Sequence, residues 1–216
     1  FENTLIQLGY DDVMDGVVLS TNISNVDSLD LRSKQINDMT GIEAFTSLEV
    51  LYCGGNTFQI LDLTSNTALQ KLKILSGSLN SLNLNNLLAL EELDIQDHSS
   101  LQNLDLSTNL NLKVLYAYFL NSLTSIDLLN NTQITTLTFF RNSSITSIDL
   151  SNNSLIEFFH APNNNLTNIN LTNCTQLSNC NLSNSVHNGT VLGNNAFTGL
   201  DVSGCTALTQ LDVSEN

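Results

Sequence analysis

The side chains best suited to contact a partner are four aromatics, Tyr116, Tyr118, Phe140 and Phe159, which lie in three consecutive 21–22-residue periods of a repeating pattern. Tyr and Phe rings can stack on sugar rings or anchor a protein partner. Aromatic residues make up only 6% of the chain, so this concentration does not follow from composition. If the four rings are exposed together, they predict a ligand-binding surface. The alternative is cross-strand packing that only supports a sheet.

A row of acidic and amide residues is the second candidate for chemistry. It comprises Asp62, Asn83, Asp105, Asp127, Asp149, Asn170, Asp201 and Asp212. Carboxylates at sheet spacing repel one another unless hydroxyls, water or cations screen them, so calcium or a basic partner is one interpretation. We favour the other, a hydrated face on which each Asp bonds to neighbouring Ser and Thr, and we predict no metal site.

Motifs that assemble catalytic groups are missing from the sequence. It contains no GxSxG, no HExxH and no glycine-rich phosphate loop. Two Asp on an open sheet also lack the cleft that raises a carboxyl pKa in a glycosidase. We therefore expect no catalytic residues, no cofactor and no enzymatic activity.

Two of the four cysteines fall at equivalent places in the pattern, in INLTNCTQL (Cys174) and LDVSGCTAL (Cys205). Adjacent coils about 4.8 Å apart lie within the distance that a disulfide spans, so a disulfide and two free buried thiols both remain open. Cys53 and Cys180 fall at inward positions and are interpreted as small core residues. Neither CxxC nor clustered His accompanies the cysteines, so we expect no zinc site.

An eleven-residue pattern, LxxLxLxxNxx, positions all these side chains, and two units make a period of 21 or 22 residues. Such a period is typical of a stacked solenoid. One unit has Asp or Asn between its central apolar residues, as in LDL at 61–63; the other varies, as in LYA at 115–117. Alternation of apolar and other residues predicts a short strand on each side of every coil.

The assignment of FFH at 158–160 to the second kind of unit places Phe159 and Ala161 outward. It places His160 inward, beside Phe139. Asn recurs three residues after many second core positions, where its amide can satisfy turn backbone groups. These residues are Asn56, Asn66, Asn109, Asn131, Asn142, Asn153 and Asn163.

The LxxLxLxxN units identify the chain as similar to leucine-rich-repeat proteins. The short doubled form, and the segments FENTLIQLGYDDVMDGVV and TGIEAFTSLEVL, resemble the surface and secreted leucine-rich-repeat proteins of Bacteroidetes. The resemblance implies a mainly β solenoid with 21–22-residue coils, parallel strands on both sides and a small N-terminal helical cap. It also implies an exported, adhesive or ligand-binding protein.

Two regions depart from the regular array. Residues 1–47 are expected to form the cap and a first irregular repeat, and residues 48–216 the array. Between Leu166 and Phe197 the step is 31 residues, which predicts an inserted loop at 183–196. Insertions of this kind often edge a binding face, although a loop without function is the alternative.

The composition of the chain limits the classes of partner that it can bind. The net charge is −15 with only six Lys and Arg, which argues against nucleic acid and anionic membranes. No apolar run approaches the roughly 18 residues of a membrane span. We therefore expect a non-catalytic recognition or adhesion module, secreted or at the cell surface, that binds a protein or a polysaccharide. The alternative is a structural spacer or stalk without a specific ligand.

Overall fold

The computed structural model of the 216-residue chain describes residues 1–187, 190–191 and 195–216. Three short helical segments cover the N-terminal end of the core: α1 (Glu2–Gln7), α2 (Ser20–Ile23) and a 3-10 turn (Ile42–Ala44). Leu5 of α1, Ile23 of α2 and Phe45, which follows the 3-10 turn, are buried and extend the core of the solenoid. α1 stops before Gly9, whose φ of +81° a helix cannot continue.

A continuous parallel sheet of nine strands, here called the main sheet, forms one side of the solenoid. Its order follows the chain: β1 (Ser28–Asp30), β2 (Val50–Tyr52), β4 (Lys71–Leu75), β6 (Glu92–Gln96), β7 (Val114–Tyr118), β8 (Thr136–Phe140), β10 (Phe158–His160), β12 (Asn179–Asn181) and β15 (Gln210–Asp212). Consecutive strands pair in parallel and in register. The predicted leucine-rich-repeat solenoid with coils of about 22 residues is confirmed.

The opposite side of each coil carries less strand pairing. β3 (Ile60–Asp62) pairs with β5 (Ser81–Asn83), and β9 (Ser147–Asp149) pairs with β11 (Asn168–Asn170). Segments 104–106 and 126–128 occupy the same side without strand assignment, yet Leu104, Leu106 and Leu128 are still buried. The strands expected on both sides of every coil are therefore continuous on one side and local on the other.

Spacing between the two sides follows a rule. Eleven residues always separate the inward residue of the opposite side from its equivalent in the next main-sheet strand, as from Ile148 to Phe159 and from Ile169 to Cys180. The return path takes 10 or 11 residues, as from Leu51 to Leu61 and from Leu137 to Ile148, except from Cys180 to Leu200, where the insertion lengthens it to 20. Variation in coil length thus lies in the turn that leaves the main sheet.

Asparagines line both kinds of turn and form two columns, and all of them except Asn216 are buried. The first column lies in the turn that leads from the opposite side of a coil to the next main-sheet strand. It comprises Asn66, Asn109, Asn131 and Asn153 and continues with Cys174 and Cys205. Each of these asparagines donates from Nδ2 to carbonyls of the preceding coil. The second column follows the main sheet: Asn56, Asn142, Asn164, Asn195 and Asn216, with His98 at the same position. Asn164, not Asn163, is the member of this column.

The predicted insertion falls partly outside the described residues, at 188–189 and 192–194. Within it, β13 (Val186–His187) pairs with β14 (Thr190–Val191) in antiparallel fashion. Asn195 then takes the place in the second column that Asn164 has one coil earlier, because its Nδ2 donates to the carbonyls of Ala161 and Leu182. The chain thus returns to the solenoid pattern at Asn195.

Candidate binding surface

Three of the four predicted aromatics lie together on the outer surface of the main sheet. Tyr116 and Tyr118 are on β7, with ring centroids 6.3 Å apart, and Phe140 is on β8, 6.3 Å from Tyr118 with its ring edge-on. All three are half-buried, since each ring leans on its neighbours while one side faces solvent. The alternation of inward Leu115 and Ala117 with outward Tyr116 and Tyr118 puts them there.

The predicted outward position of Phe159 is wrong. Phe159 is 0% exposed and pairs with Leu137, an inward residue of β8. Its neighbours reverse as well: Ala161 is buried, His160 lies outward with Nε2 2.8 Å from Asn179 Oδ1, and Phe158 is 43% exposed. Adjacent residues of a strand face opposite sides of the sheet. An assignment shifted by one residue therefore places every side chain of the strand on the wrong face.

Two side chains that the pattern did not single out complete the cluster. Phe119 follows β7 and contacts Phe140 edge-on, with centroids 5.5 Å apart. The Arg141 guanidinium follows β8 and lies over both rings, 5.7 Å from the centroid of Phe119 and 5.4 Å from that of Phe140. We call Tyr116, Tyr118, Phe119, Phe140 and Arg141 the aromatic–arginine patch.

Phe119 and Arg141 occupy a turn position with left-handed backbone. Equivalent residues of other coils also have positive φ: Ser33, Gly55, Ser76, Asp97, Asn163 and Glu215. Small or turn-forming residues predominate in this set because a bulky side chain is strained there. Phe119 (φ 56°) and Arg141 (φ 54°) are therefore unusual choices for this turn, and both put their side chains into the patch.

Polar groups border the patch on one side. The Tyr118 hydroxyl lies beside Thr138; burial raises the pKa of Tyr118 and outweighs the opposite effect of Thr138. Tyr118 is therefore a neutral phenol at physiological pH. Together with Thr138 and His160, it offers hydrogen-bonding groups beside the rings.

Toward the N-terminal end, the surface of the main sheet is charged but internally paired. Lys71 contacts Glu92 at 2.6 Å, and Lys73 contacts Glu92 at 2.9 Å and Asp94 at 3.6 Å. Burial tends to raise the pKa of Glu92, but its bonds with the two lysines lower it overall. The carboxylate is thus already bound to two ammonium groups, and this part of the surface is less available to a charged partner.

The acidic row is a structural feature. Each Asp or Asn accepts the backbone N–H two residues ahead through its side-chain oxygen, as Asp105 does from Ser107 and Asp149 from Ser151, both at 2.9 Å. The side chains of Ser107 and Ser151, and then these backbone bonds, lower the pKa of both carboxyls. Asp212 was assigned to this row incorrectly, because Leu211 pairs with Cys180 and Asp212 with Asn181 in the main sheet. No group of three or more metal-binding side chains occurs among the described residues.

All four cysteines are buried free thiols. Cys174 donates to the carbonyl of Leu150 at 3.4 Å and Cys205 to that of Leu171 at 3.9 Å, so each takes the place of a column asparagine. Burial raises the pKa of Cys174 and Cys180 to about 12, which keeps both thiols protonated. A protonated, buried thiol is a poor nucleophile.

Two cavities lined largely by apolar side chains lie at the ends of the solenoid, away from the patch. One, of about 330 Å³, is lined by Phe1, Leu5, Ile23 and Phe45 of the cap; the other, of about 350 Å³, by Phe197, Leu200, Leu211 and Val213. The patch is an open surface instead, suited to contact between broad faces. In the described part of the chain, no helix has the length and apolarity needed to cross a bilayer.

The comparison with solved structures supports the fold. No family model matches the sequence, and no curated protein matches it. The functional domain of InlJ from Listeria monocytogenes, described as including a cysteine ladder, is 29% identical over 91% of this chain and 46% of its own, with a TM-score of 0.59. This chain thus spans less than half of that InlJ chain.

Two further internalins of the same organism are more distant in sequence. Internalin C2 is 19% identical over 96% of this chain and 91% of its own, with a TM-score of 0.69. The internalin inlF is 23% identical over 98% of this chain and 67% of its own, with a TM-score of 0.63. These likenesses concern the fold alone. The chain therefore has the solenoid fold of bacterial leucine-rich-repeat proteins.

Proposed function

We propose that this protein is a non-catalytic recognition module that binds a protein or polysaccharide partner on the outer surface of the main sheet, through the aromatic–arginine patch. The observation that carries the proposal is the contiguity of five side chains from two adjacent strands and the turns that follow them. Their rings lie 5.5–6.3 Å apart, with one guanidinium stacked over two of them. Tyr and Arg are also the residues enriched at the energetic centres of interfaces.

Backbone strain supports a functional origin for the patch. A non-glycine residue in left-handed conformation costs roughly 1–3 kcal/mol. Asn and Asp tolerate this conformation better than Phe or Arg, and other coils use Asp97 and Asn163 at the same turn. The solenoid itself gains nothing evident from a half-exposed ring at residue 119. A partner that contacts the ring would explain why it is there.

The test compares capture of partners from matrix and host-cell extracts with binding to a glycan array. Wild type is measured beside a triple variant, Tyr116→Ala, Tyr118→Ala and Phe140→Ala. Phe159 is left intact because its removal would open a cavity in the core and cost about 3–5 kcal/mol of stability. We expect the triple variant to remain folded and to lose at least about tenfold in affinity, equivalent to 1.4 kcal/mol.

A matched control removes exposed apolar area elsewhere. Leu88, Leu110 and Leu129 are 50–60% exposed and lie outside the main sheet, so their triple Ala variant should bind as wild type does. Equal binding by wild type and the aromatic variant would contradict the proposed site. If wild type binds nothing in either assay, the alternative function, a spacer without a specific ligand, is favoured.

We further propose that the protein is exported or displayed at the cell surface, as the resemblance to surface and secreted leucine-rich-repeat proteins implies. A surface rich in Asn, Ser and Thr, with only 12% charged residues, is compatible with that location. Fractionation of the producing cells with an antibody against this chain tests it. Recovery with the cytosolic marker alone would contradict the proposal.

A further inference from the structure

The basic residues of this chain differ in how they are used. Of six Lys and Arg, four are in ion pairs: Arg32 with Asp30, Lys71 and Lys73 with Glu92, and Lys113 with Glu91. Among the described residues, Lys34 and Arg141 contact no carboxylate within ion-pair distance, although the chain has 21 Asp and Glu. Of these two, only Arg141 lies over aromatic rings of the described residues, which indicates that its guanidinium has another use.

Among the described residues, the Arg141 side chain makes packing contacts and no hydrogen bond. Its guanidinium stacks over Phe119 and Phe140, and its Nε is buried without an acceptor among the described residues. The residue is half-buried, and its terminal nitrogens are not among the buried atoms without a partner. The planar group is thus fixed in orientation while its outer donors remain free, and planar donors of this kind bind a carboxylate through two parallel bonds.

We infer that Arg141 anchors a carboxylate of a protein partner, an Asp or Glu side chain set in an apolar surface that docks on the aromatic–arginine patch. This inference rests on the proposed function and names the chemistry at its centre. The rings around Arg141 reduce access of water to the pair, which makes a charge-assisted bond stronger than it is in open solvent.

Shape and charge both favour a protein over an acidic polysaccharide. The patch is an open sheet surface, and Phe158, 43% exposed, lies on the same face of the next strand, beside Thr136. A polyanionic chain would also meet the field of a protein with net charge −15. A protein partner can supply one carboxylate within a neutral or basic surface, and so avoids that repulsion.

The test uses NMR titration of isotope-labelled protein with two peptides that differ in one group, acetyl-Leu-Glu-Leu-amide and acetyl-Leu-Gln-Leu-amide. The methyl glycoside of glucuronic acid is the sugar-acid probe. We expect the Glu peptide to shift the Nε–H signal of Arg141 and the amide signals of residues 116–119 and 138–142. The Gln peptide should bind about tenfold more weakly, since it lacks the charge-assisted bonds.

Substitutions at Arg141 and Lys113 test whether the preference for the Glu peptide depends on Arg141. Arg141→Gln should reduce affinity for the Glu peptide to that of the Gln peptide, and Arg141→Lys should recover only part of it. Lys113→Gln, which removes an equal charge from an ion pair with Glu91, should bind as wild type does.

Equal shifts with both peptides, full binding by Arg141→Gln, or tighter binding of the glucuronide would each overturn the inference. Equal binding of both peptides at the patch would leave the proposed function standing, because the rings would then act without the carboxylate. Loss of partner capture in the aromatic variant, tested separately, bears on the proposed function alone.

Discussion

At the scale of single residues, the two asparagine columns differ in how completely their amides are satisfied. In the second column Oδ1 accepts backbone N–H groups, as Asn142 does from Leu120 at 2.8 Å. In the first column the Oδ1 atoms of Asn66, Asn109, Asn131 and Asn153 are buried and have no hydrogen-bond partner among the residues that the structure describes. A thiol donates one weak bond and has no amide oxygen to satisfy, which explains why Cys174 and Cys205 can replace Asn in this column.

The first-column asparagines should nonetheless stabilise the fold through their donors. Asn131 Nδ2 donates to the carbonyls of Leu106 at 3.0 Å and Asn109 at 2.9 Å. Asn131→Ala leaves both carbonyls without that donor but also removes an unpaired oxygen, so we expect a loss of about 1–3 kcal/mol of unfolding free energy in urea. The control, Asn130→Ala, removes one exposed bond of 3.2 Å to Ser107 and should cost under about 0.5 kcal/mol. Equal losses would show that burial of the amide is unimportant.

His98 is the second-column residue that makes stability depend on pH. The ring is 1% exposed, its Nε2 lies 3.1 Å from the carbonyl of Ile74, and its Nδ1 accepts from the N–H of Leu79 at 3.3 Å. Nδ1 must therefore be unprotonated. Burial lowers the pKa of His98, against smaller opposing effects of Ile74 and Asp97.

Because the folded-state pKa lies below the unfolded value of about 6.5, His98 contributes its full stability above that pH and loses it as pH falls. We expect unfolding free energy to decrease by up to about 1.4 kcal/mol per pH unit below pH 6.5, until the folded-state pKa is reached. His98→Asn, which places the usual column residue there, should flatten the profile between pH 7.5 and 5. A wild-type profile that is already flat in this range would rule the mechanism out.

At the scale of elements, the repeat predicted the solenoid because inward Leu and Ile at fixed spacing admit only a stacked arrangement. It also placed Tyr116, Tyr118 and Phe140 on one surface, because strand alternation follows from the inward residues. The error at Phe159 came from two adjacent Phe, either of which satisfies the apolar position. The constant eleven-residue step from Ile148 would have selected Phe159 as the inward residue.

Two other features lie beyond the pattern of strands. Phe119 and Arg141 follow their strands in a turn, where side-chain direction depends on the sign of φ and not on alternation. A large aromatic or Arg side chain at a turn position that otherwise takes Gly, Ser, Asp, Asn or Glu was the available signal. The finer resemblance to Bacteroidetes proteins stays a prediction, since the structural likeness extends to Listeria internalins.

At the scale of the whole molecule, coils contact mainly their neighbours, so a change in one coil is tolerated where the stacking pattern is kept. The inserted segment meets this condition. Asn163 and Asn164 are adjacent in one coil, whereas their equivalents in the next coil, Asn184 and Asn195, are separated by ten residues. Asn184 Oδ1 accepts the N–H of Asn195 at 3.0 Å, and its Nδ2 donates to the carbonyl of Asn195 at 2.9 Å.

Deletion of residues 185–194 should therefore yield a folded protein, because it joins Asn184 to Asn195 and restores a 21-residue step between Leu166 and Phe197. The deletion removes the bonds between Ser185 and Asn163, so we expect a decrease in melting temperature of no more than about 4 °C, the shift that 1 kcal/mol produces at this size. Circular dichroism and thermal melting test this, and the capture assay run on the same variant shows whether the segment contributes to binding. Loss of cooperative melting would mean that the segment supports the coils on either side of it. Normal melting with reduced capture would instead extend the binding surface from the aromatic–arginine patch to this edge of the solenoid.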